Sequence, residues 1–127
     1  MRITSIALAL FLTACATVPS QVMVSGVSDR LFCGRSIEGV GEVTDADVEK
    51  FIEEVVEPRF PEGFTVWTAV GRWRGGEEKT LIIELVHPYG ARFDRAVEEI
   101  AEEYRSRFKQ DAVMRVTTPA LMELIEE

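Results

Sequence analysis

The spacing of hydrophobic and polar positions predicts two helices and four strands. Apolar residues at i, i+3, i+4 and i+7 from Val48 to Val55, and a longer stripe from Phe93 to Phe108, are typical of one helix face. Runs of β-branched and aromatic residues predict the strands. The predicted order is strand 30–37, a helix between Thr44 and Pro58, strand 64–73, strand 79–87, helix 93–108 and strand 112–117.

Short local signals support these boundaries. Thr44 and Asp47, three residues apart, are close to a capping box for the first helix. Gly75 and Gly76 both tolerate positive φ and therefore predict a tight hairpin between the second and third strands. Residues 120–126 are expected to form one short amphipathic turn or a pair of turns.

The order β-α-β-β-α-β predicts an α+β fold, the ferredoxin-like sandwich, with a four-stranded antiparallel sheet and two helices on one face. We expect the strand order 4-1-3-2, with strands 1 and 3 central and parallel to each other. Each helix has one apolar stripe, so the two helices cover only one face of the sheet. Function is expected on the face that remains open.

Alternation along each strand assigns its side chains to the two faces of the sheet. Glu84, Arg115 and Arg35 are placed near the centre of the open face, among aliphatic residues. A half-apolar face of this kind is commonly covered by a second copy or a small ligand. The alternative, which we favour, is that the charged residues form ordinary, partly solvated ion pairs on the surface. The residues expected to face the helices are Leu81, Ile83 and Leu85 in the third strand and Met114 and Val116 in the last.

Four charged or titratable residues are candidates for catalysis: Arg35, Glu84, His87 and Arg115. In a dimeric α+β barrel they would converge in a cavity between two open faces, with His87 as a general base near neutral pH. A lone histidine at a strand end is more often structural, so the four residues remain candidates and none is assigned a catalytic role.

Four further residues are candidates for a ligand site or an interface. Trp73, next to Arg72, either stacks on a sugar or aromatic ligand or forms the end of the core, which we favour. Arg59 and Gln110 lie at equivalent junctions, where each predicted helix returns to the sheet. They either cap carbonyls and hold the loops together, which we favour, or line one pocket at the end of the sheet.

The N-terminal residues resemble a bacterial lipobox. Residues 12–15, Leu-Thr-Ala-Cys, follow an apolar run far shorter than the roughly 20 residues that span a bilayer. This predicts a signal peptide at 1–14, lipidation of Cys15, a tether over 15–28 and a folded domain at 29–127. The two acyl chains of a diacylglyceryl cysteine would anchor the protein stably to the membrane. Ala16 predicts the outer membrane, with the domain facing the periplasm; the alternatives are an ordinary signal peptide or an uncleaved signal anchor.

Composition narrows the range of partners. The net charge of −8 makes nucleic acid a poor partner, and it favours solubility. His87 is the only histidine, so no zinc cluster can be assembled, and neither a metal nor a cofactor is predicted. Cys33 lies in an apolar run and is expected to be a buried, inert thiol.

Four stretches carry a resemblance to a known family. The most specific is Pro58-Arg59-Phe60-Pro61-Glu62-Gly63-Phe64-Thr65, and the others are residues 31–35, 71–73 and 104–113. Together they resemble a family of short exported bacterial proteins, many of them predicted lipoproteins, known only as a domain of unknown function. The resemblance covers about residues 30–118. It implies export and a small α+β domain, and it carries no established activity.

These observations favour a membrane-anchored extracytoplasmic lipoprotein that acts by binding. Its partner would be a second copy, in a homodimer formed through the open face, or another component of the cell envelope. The alternative is the dimeric barrel enzyme with a ligand cavity between the two sheets. A purely structural lipoprotein is a third possibility.

Overall fold

The computed structural model describes residues 22–125, so Cys15 and the predicted signal peptide lie outside the described residues. A π-helical turn, Ile52–Val56, continues the first helix. The elements of the described chain are β1 (Val24–Gly34), β2 (Ser36–Ile37), β3 (Gly41–Glu42), α1 (Asp45–Phe51), β4 (Thr65–Trp73), β5 (Gly76–Pro88), α2 (Ala91–Arg107) and β6 (Met114–Met122).

The four long strands form one antiparallel sheet in the order β4-β5-β1-β6, and β2 and β3 form a small separate sheet. This is the predicted order 4-1-3-2 once the two short strands are left out. Both helices contribute to a single core on one face of the large sheet. The predicted α+β sandwich is therefore confirmed.

The expectation that the two central strands are parallel is wrong. β1 and β5 pair antiparallel, with Leu31 opposite Ile83. The connection through α1 leads from β1 to β4. A hairpin then joins β4 to β5, and these two strands pair antiparallel. β1 and β4 run in the same direction, and β5, which lies between them, runs opposite to both.

Three strands extend beyond their predicted limits, β5 by a few residues and β1 and β6 by more. β1 begins at Val24, so residues 24–28, which were assigned to the tether, belong to the sheet. β6 continues to Met122, where turns were expected. Gly26 and Pro119 suggest breaks in these strands, but each has a place in the sheet. A Cβ on residue 26 would collide with the backbone of β5, and proline is tolerated in an edge strand such as β6.

The predicted helix start and hairpin are close to what the structure shows. Thr44 and Asp47 form a complete capping box, in which each side chain accepts a hydrogen bond from the other residue's backbone N–H (3.1 and 2.9 Å). The hairpin turn is Arg74-Gly75, one residue earlier than predicted. Both residues have positive φ, 48° and 83°, as a two-residue turn of this kind requires.

An aromatic cluster joins the two helices over the sheet. The rings of Phe51, Tyr104 and Phe108 lie with centroids 4.8 to 5.9 Å apart. The Tyr104 hydroxyl donates a hydrogen bond to the Gly34 carbonyl oxygen (2.9 Å), which satisfies its one polar atom within the core. Leu81, Ile83 and Leu85 of β5 face this core as predicted.

We expect Thr44→Ala to lower the free energy of unfolding by about 1 kcal/mol, because the helix loses the hydroxyl that caps it. Urea denaturation followed by far-ultraviolet circular dichroism measures the change. Thr44→Ser keeps a capping hydroxyl and is the matched control. An equal loss in both variants would contradict the capping role.

Candidate functional site

A fully buried carboxylate, Asp29 of β1, is the centre of a charged network on the helix face of the sheet. Arg115 of β6 donates two hydrogen bonds to it, from Nε (2.9 Å) and Nη2 (2.8 Å). Thr117 Oγ1 and His87 Nε2 donate two more, the latter at 3.0 Å. Arg115 also donates to Asp94 in the first turn of α2 (2.7 Å). The network thus joins three strands at one carboxylate and connects them through Arg115 to α2.

The hydrogen bonds keep this carboxylate ionised. Burial acts to raise the pKa of Asp29, but the hydrogen bonds from Arg115, Thr117 and His87 outweigh it and bring the pKa below the ordinary value of 3.8. The hydrogen bond to Asp29 in turn raises the pKa of Arg115. The pair is therefore fully charged at neutral pH.

His87 is enclosed on all sides by this network and by aromatic rings. Its Nδ1 lies 2.9 Å from the Pro88 carbonyl oxygen, and its ring stacks on Phe93 with centroids 5.1 Å apart. Phe60 lies against it at 5.7 Å. Since only 4% of the residue is exposed, a substrate has no path to either ring nitrogen. The hypothesis of a general base at His87 is not supported, and the structure gives the residue a packing role.

The hypothesised convergence of Arg35, Glu84, His87 and Arg115 is wrong. His87 and Arg115 meet only through Asp29, on the face that the helices cover. Glu84 lies on the open face, because it alternates with the buried residues of β5. Arg35 directly follows Gly34, the last residue of β1, and so lies at the other end of that strand from Val24. The four side chains therefore serve separate parts of the structure.

Glu84 and Arg35 each have local partners. Glu84 accepts hydrogen bonds from Ser28 Oγ (2.8 Å) and Arg30 Nε (2.9 Å), which lower the pKa of its carboxyl. The buried Arg35 guanidinium donates twice to the Val43 carbonyl oxygen (2.9 and 2.7 Å). The Glu84 contacts connect side chains of β5 and β1, and the Arg35 contacts hold the backbone at Val43.

The face assignment of β6 is reversed relative to the prediction. Arg115 and Thr117 point towards the helices, where they reach Asp29. Met114 and Val116 consequently lie on the open face and are 54% and 40% exposed. The need to pair a buried carboxylate outweighs the greater hydrophobicity of the two apolar residues.

A cavity of about 560 Å³ opens on the uncovered face, at the end of the sheet where β1 stops and β4 turns into β5. Phe32, Ile82 and Met114 occupy neighbouring positions on β1, β5 and β6 and line it with apolar surface. Trp73, which is 56% exposed, lines it beside the hairpin. Residues 109–112, between α2 and β6, line another side.

Three of the four ligand or interface candidates line this cavity: Arg72, Trp73 and Gln110. Arg59 does not. Its Nη1 donates to the Val55 carbonyl oxygen (2.9 Å), so it caps the end of the first helix. Of the two alternatives given for Arg59, the structure supports the structural one.

Polar atoms gather in the cavity above Gly34. A Cβ on this residue would lie 2.9 Å from both carboxylate oxygens of Glu78 and 3.1 Å from Gln110 Oε1. Glu78 accepts a hydrogen bond from the Ser36 backbone N–H (3.2 Å). Gln110 Nε2 donates to the carbonyl oxygens of Ser36 (2.9 Å) and Phe108 (3.1 Å). Glycine is therefore the residue that leaves room for this group of oxygens.

Sequence reasoning missed Asp29, Glu78 and Gly34. Asp29 is in phase with Leu31 in a strand, and a carboxylate within an apolar stripe is a usable signal for a buried ion pair. No such signal marks the other two. The charged run 77–79 beside a glycine turn is typical of a solvated hairpin, and the close approach above Gly34 depends on three separate segments.

Residues 22–125 contain no group of three or more His, Cys, Asp or Glu side chains that could hold a metal ion. No helix in that range is both long and apolar enough to cross a bilayer. Cys33 is buried as expected, and burial raises the pKa of its thiol to about 12.

Comparisons with known proteins give a family match and a fold match. The family model described as "Protein of unknown function (DUF3574)" matches residues 28–124. No curated protein matches the chain. A phage SAM lyase in its apo state is similar in structure, with a TM-score of 0.55 and 18% identity over 81% of this chain and 91% of that chain. A phage SAM lyase in complex with S-methyl-5'-thioadenosine is also similar, with a TM-score of 0.55 and 17% identity over 87% of this chain and 97% of that chain. At this identity the likeness shows a shared fold.

We expect Asp29→Asn to lower the free energy of unfolding at pH 7 by about 3–5 kcal/mol, because it leaves the Arg115 guanidinium without its charged partner. The pKa of Asp29 is lowered by folding, so its contribution is complete above the unfolded pKa, about 3.9. It is lost as the pH falls through the lower folded pKa. The gap between parent and variant should therefore narrow below pH 4.

Urea denaturation of the parent and Asp29→Asn at pH 7, 5 and 3 measures this gap. Asp94→Asn removes an exposed partner of the same arginine and is the matched control, with a much smaller effect expected. A parent and an Asp29→Asn variant of equal stability at pH 7 would contradict the role of the network.

Proposed function

The chain belongs to the family described as "Protein of unknown function (DUF3574)", and because that description names no activity, we infer its function from the cavity on the open face. We propose that the protein is a lipid-anchored extracytoplasmic binding module, and that this cavity holds a small, flat organic molecule. The observation that carries the proposal is a cavity on the one face that the helices leave uncovered, lined by apolar side chains together with several polar and charged groups.

The size and lining of the cavity suit such a ligand. A volume of about 560 Å³ lies within the range of small-molecule sites, which are mostly apolar with a few placed polar groups. Trp73 is 56% exposed and is the largest side chain of the lining. A flat ligand lying against its ring would remove this apolar surface from water, at a gain of roughly 25 cal/mol per Å².

The shared fold supplies a first probe for the cavity. One of the similar structures is a complex with S-methyl-5'-thioadenosine, a molecule with a flat base and an apolar thioether. The similarity concerns the fold alone, so this compound enters as a test ligand of suitable shape and not as an assigned substrate. A smaller neutral ring, 2-phenylethanol, tests whether the apolar lining alone is sufficient.

The proposed anchor suits the direction in which the cavity opens. β1 starts at Val24, beside Met122, and ends at Gly34, beside the cavity. A tether that runs from a lipidated Cys15 into Val24 would hold the opposite end of the sheet near the membrane. The cavity would then face the periplasm, where a dissolved ligand can reach it.

A second candidate function is the dimeric enzyme. Trp67, Val86, Met114 and Val116 are exposed apolar residues of the open face, and a second copy packed against them would close the cavity from above. In native mass spectrometry of the gently purified full chain, a dimer that carries a ligand and converts it would favour this candidate. A ligand-bound monomer would favour the binding module.

We expect S-methyl-5'-thioadenosine and 2-phenylethanol to change the fluorescence of Trp73 but not that of Trp67. The chain has two tryptophans, so Trp67→Phe and Trp73→Phe leave one reporter each, and Trp67 does not line the cavity. Titrations of both full-chain variants in a non-ionic detergent provide a matched pair. Signals that respond to neither probe, or equally in both variants, would contradict a ligand site at this cavity.

We expect Cys15→Ser to abolish the incorporation of labelled palmitate and to move the protein from the membrane to the soluble fraction of a bacterial host with an outer membrane. Cys33→Ala, which changes the other cysteine, should leave both unchanged. A parent chain that remains unlabelled would contradict the proposed anchor.

A further inference from the structure

Three oxygen acceptors lie together against Gly34 at the wall of the cavity. A Cβ placed on Gly34 would be 2.9 Å from Oε1 and 2.9 Å from Oε2 of Glu78, and 3.1 Å from Gln110 Oε1. Because residue 34 is glycine, the three oxygens can pack directly against its Cα and lie close to one another at the wall of the cavity. We call these three oxygens the acceptor cradle.

The identity of the Gln110 atom in the cradle is set by hydrogen bonding. Its Nε2 lies 2.9 Å from the Ser36 carbonyl oxygen and 3.1 Å from the Phe108 carbonyl oxygen. Both partners are acceptors, so the atom between them has to be the NH₂ donor. The other amide atom, which faces Gly34, is therefore the oxygen.

The cradle has little positive charge of its own. Within residues 22–125, no lysine or arginine lies within 4 Å of the Glu78 carboxylate, and its hydrogen-bond donor is the Ser36 backbone N–H. Three neighbouring cations have other partners, and a fourth, Lys109, lines the cavity more than 4 Å from the Glu78 carboxylate. Lys79 pairs with Glu42, Arg72 with Glu77 and Arg74 with Asp111.

We propose that the acceptor cradle binds the protonated primary amine of the ligand, whose apolar body lies on Trp73 and Phe32. This inference rests on the proposed ligand function of the cavity and names its ligand class. An ammonium group carries three N–H donors, which match three oxygens, and hydrogen bonds to a carboxylate are the stronger kind when the donor is charged. One carboxylate and one amide supply fewer oxygens than the six to eight that Ca²⁺ takes.

Two probes of the same shape test the charge preference: 2-phenylethylammonium and 2-phenylethanol. The full chain with Trp67→Phe, in a non-ionic detergent, reports binding through Trp73. We expect the ammonium compound to bind at least tenfold more tightly than the alcohol. Glu78→Gln should bring the two affinities to within about threefold of each other, since an amide has no charge for the ammonium.

Two further variants separate the cradle from general effects on the fold. Glu84→Gln changes a carboxylate on the same strand and face that does not line this cavity, so it should keep the tenfold preference. Gly34→Ala places a methyl group at the centre of the cradle and should remove the preference while the alcohol still binds. Thermal melts of each variant show whether it is folded.

The outcomes distinguish this inference from the proposed function. Equal affinities of the two probes for the parent overturn the cradle as an amine site, but leave a ligand site for flat molecules in place. A preference that persists in Glu78→Gln and Gly34→Ala also overturns it. If neither probe changes the signal of Trp73, both the inference and the proposed function fail.

Discussion

The requirement to keep one buried carboxylate ionised is the constraint on which the rest of this fold depends. Asp29 lies on a central strand without contact with water, where an unpaired charge would cost several kcal/mol. Arg115, Thr117 and His87 supply its donors from the two neighbouring strands. A slip of either strand by one residue would turn these donors to the other face, so one charge couples the register of three strands.

The same constraint shapes the open face. Since Arg115 and Thr117 point towards the helices, strand alternation puts Met114 and Val116 on the opposite side. Met114 then lies beside Phe32 and completes the apolar lining of the cavity. The candidate ligand site is therefore a consequence of the buried ion pair on the other face of the sheet.

Local sequence patterns were sufficient for the fold class, the strand order, the helix cap and the core face of β5. They failed where a residue's place depends on a distant partner. Met114 is more hydrophobic than Arg115, so a pattern-based assignment turns it inward, and the carboxylate that reverses this choice lies 86 residues away in sequence. Glu78 was missed for a related reason. Its place in the cavity depends on Gly34 and Gln110, which no periodicity connects to it.

The enclosure of Cys33 has a practical consequence for handling the protein. Its thiol lies in the core with a pKa of about 12, so almost none of it is thiolate, the form that reacts with oxidants and disulfides. Cys33 is the one cysteine of residues 22–125, so folding of this segment needs no disulfide catalyst. A cysteine introduced at an exposed position would be the only reactive thiol of that segment, which makes the domain well suited to site-specific attachment of spectroscopic labels.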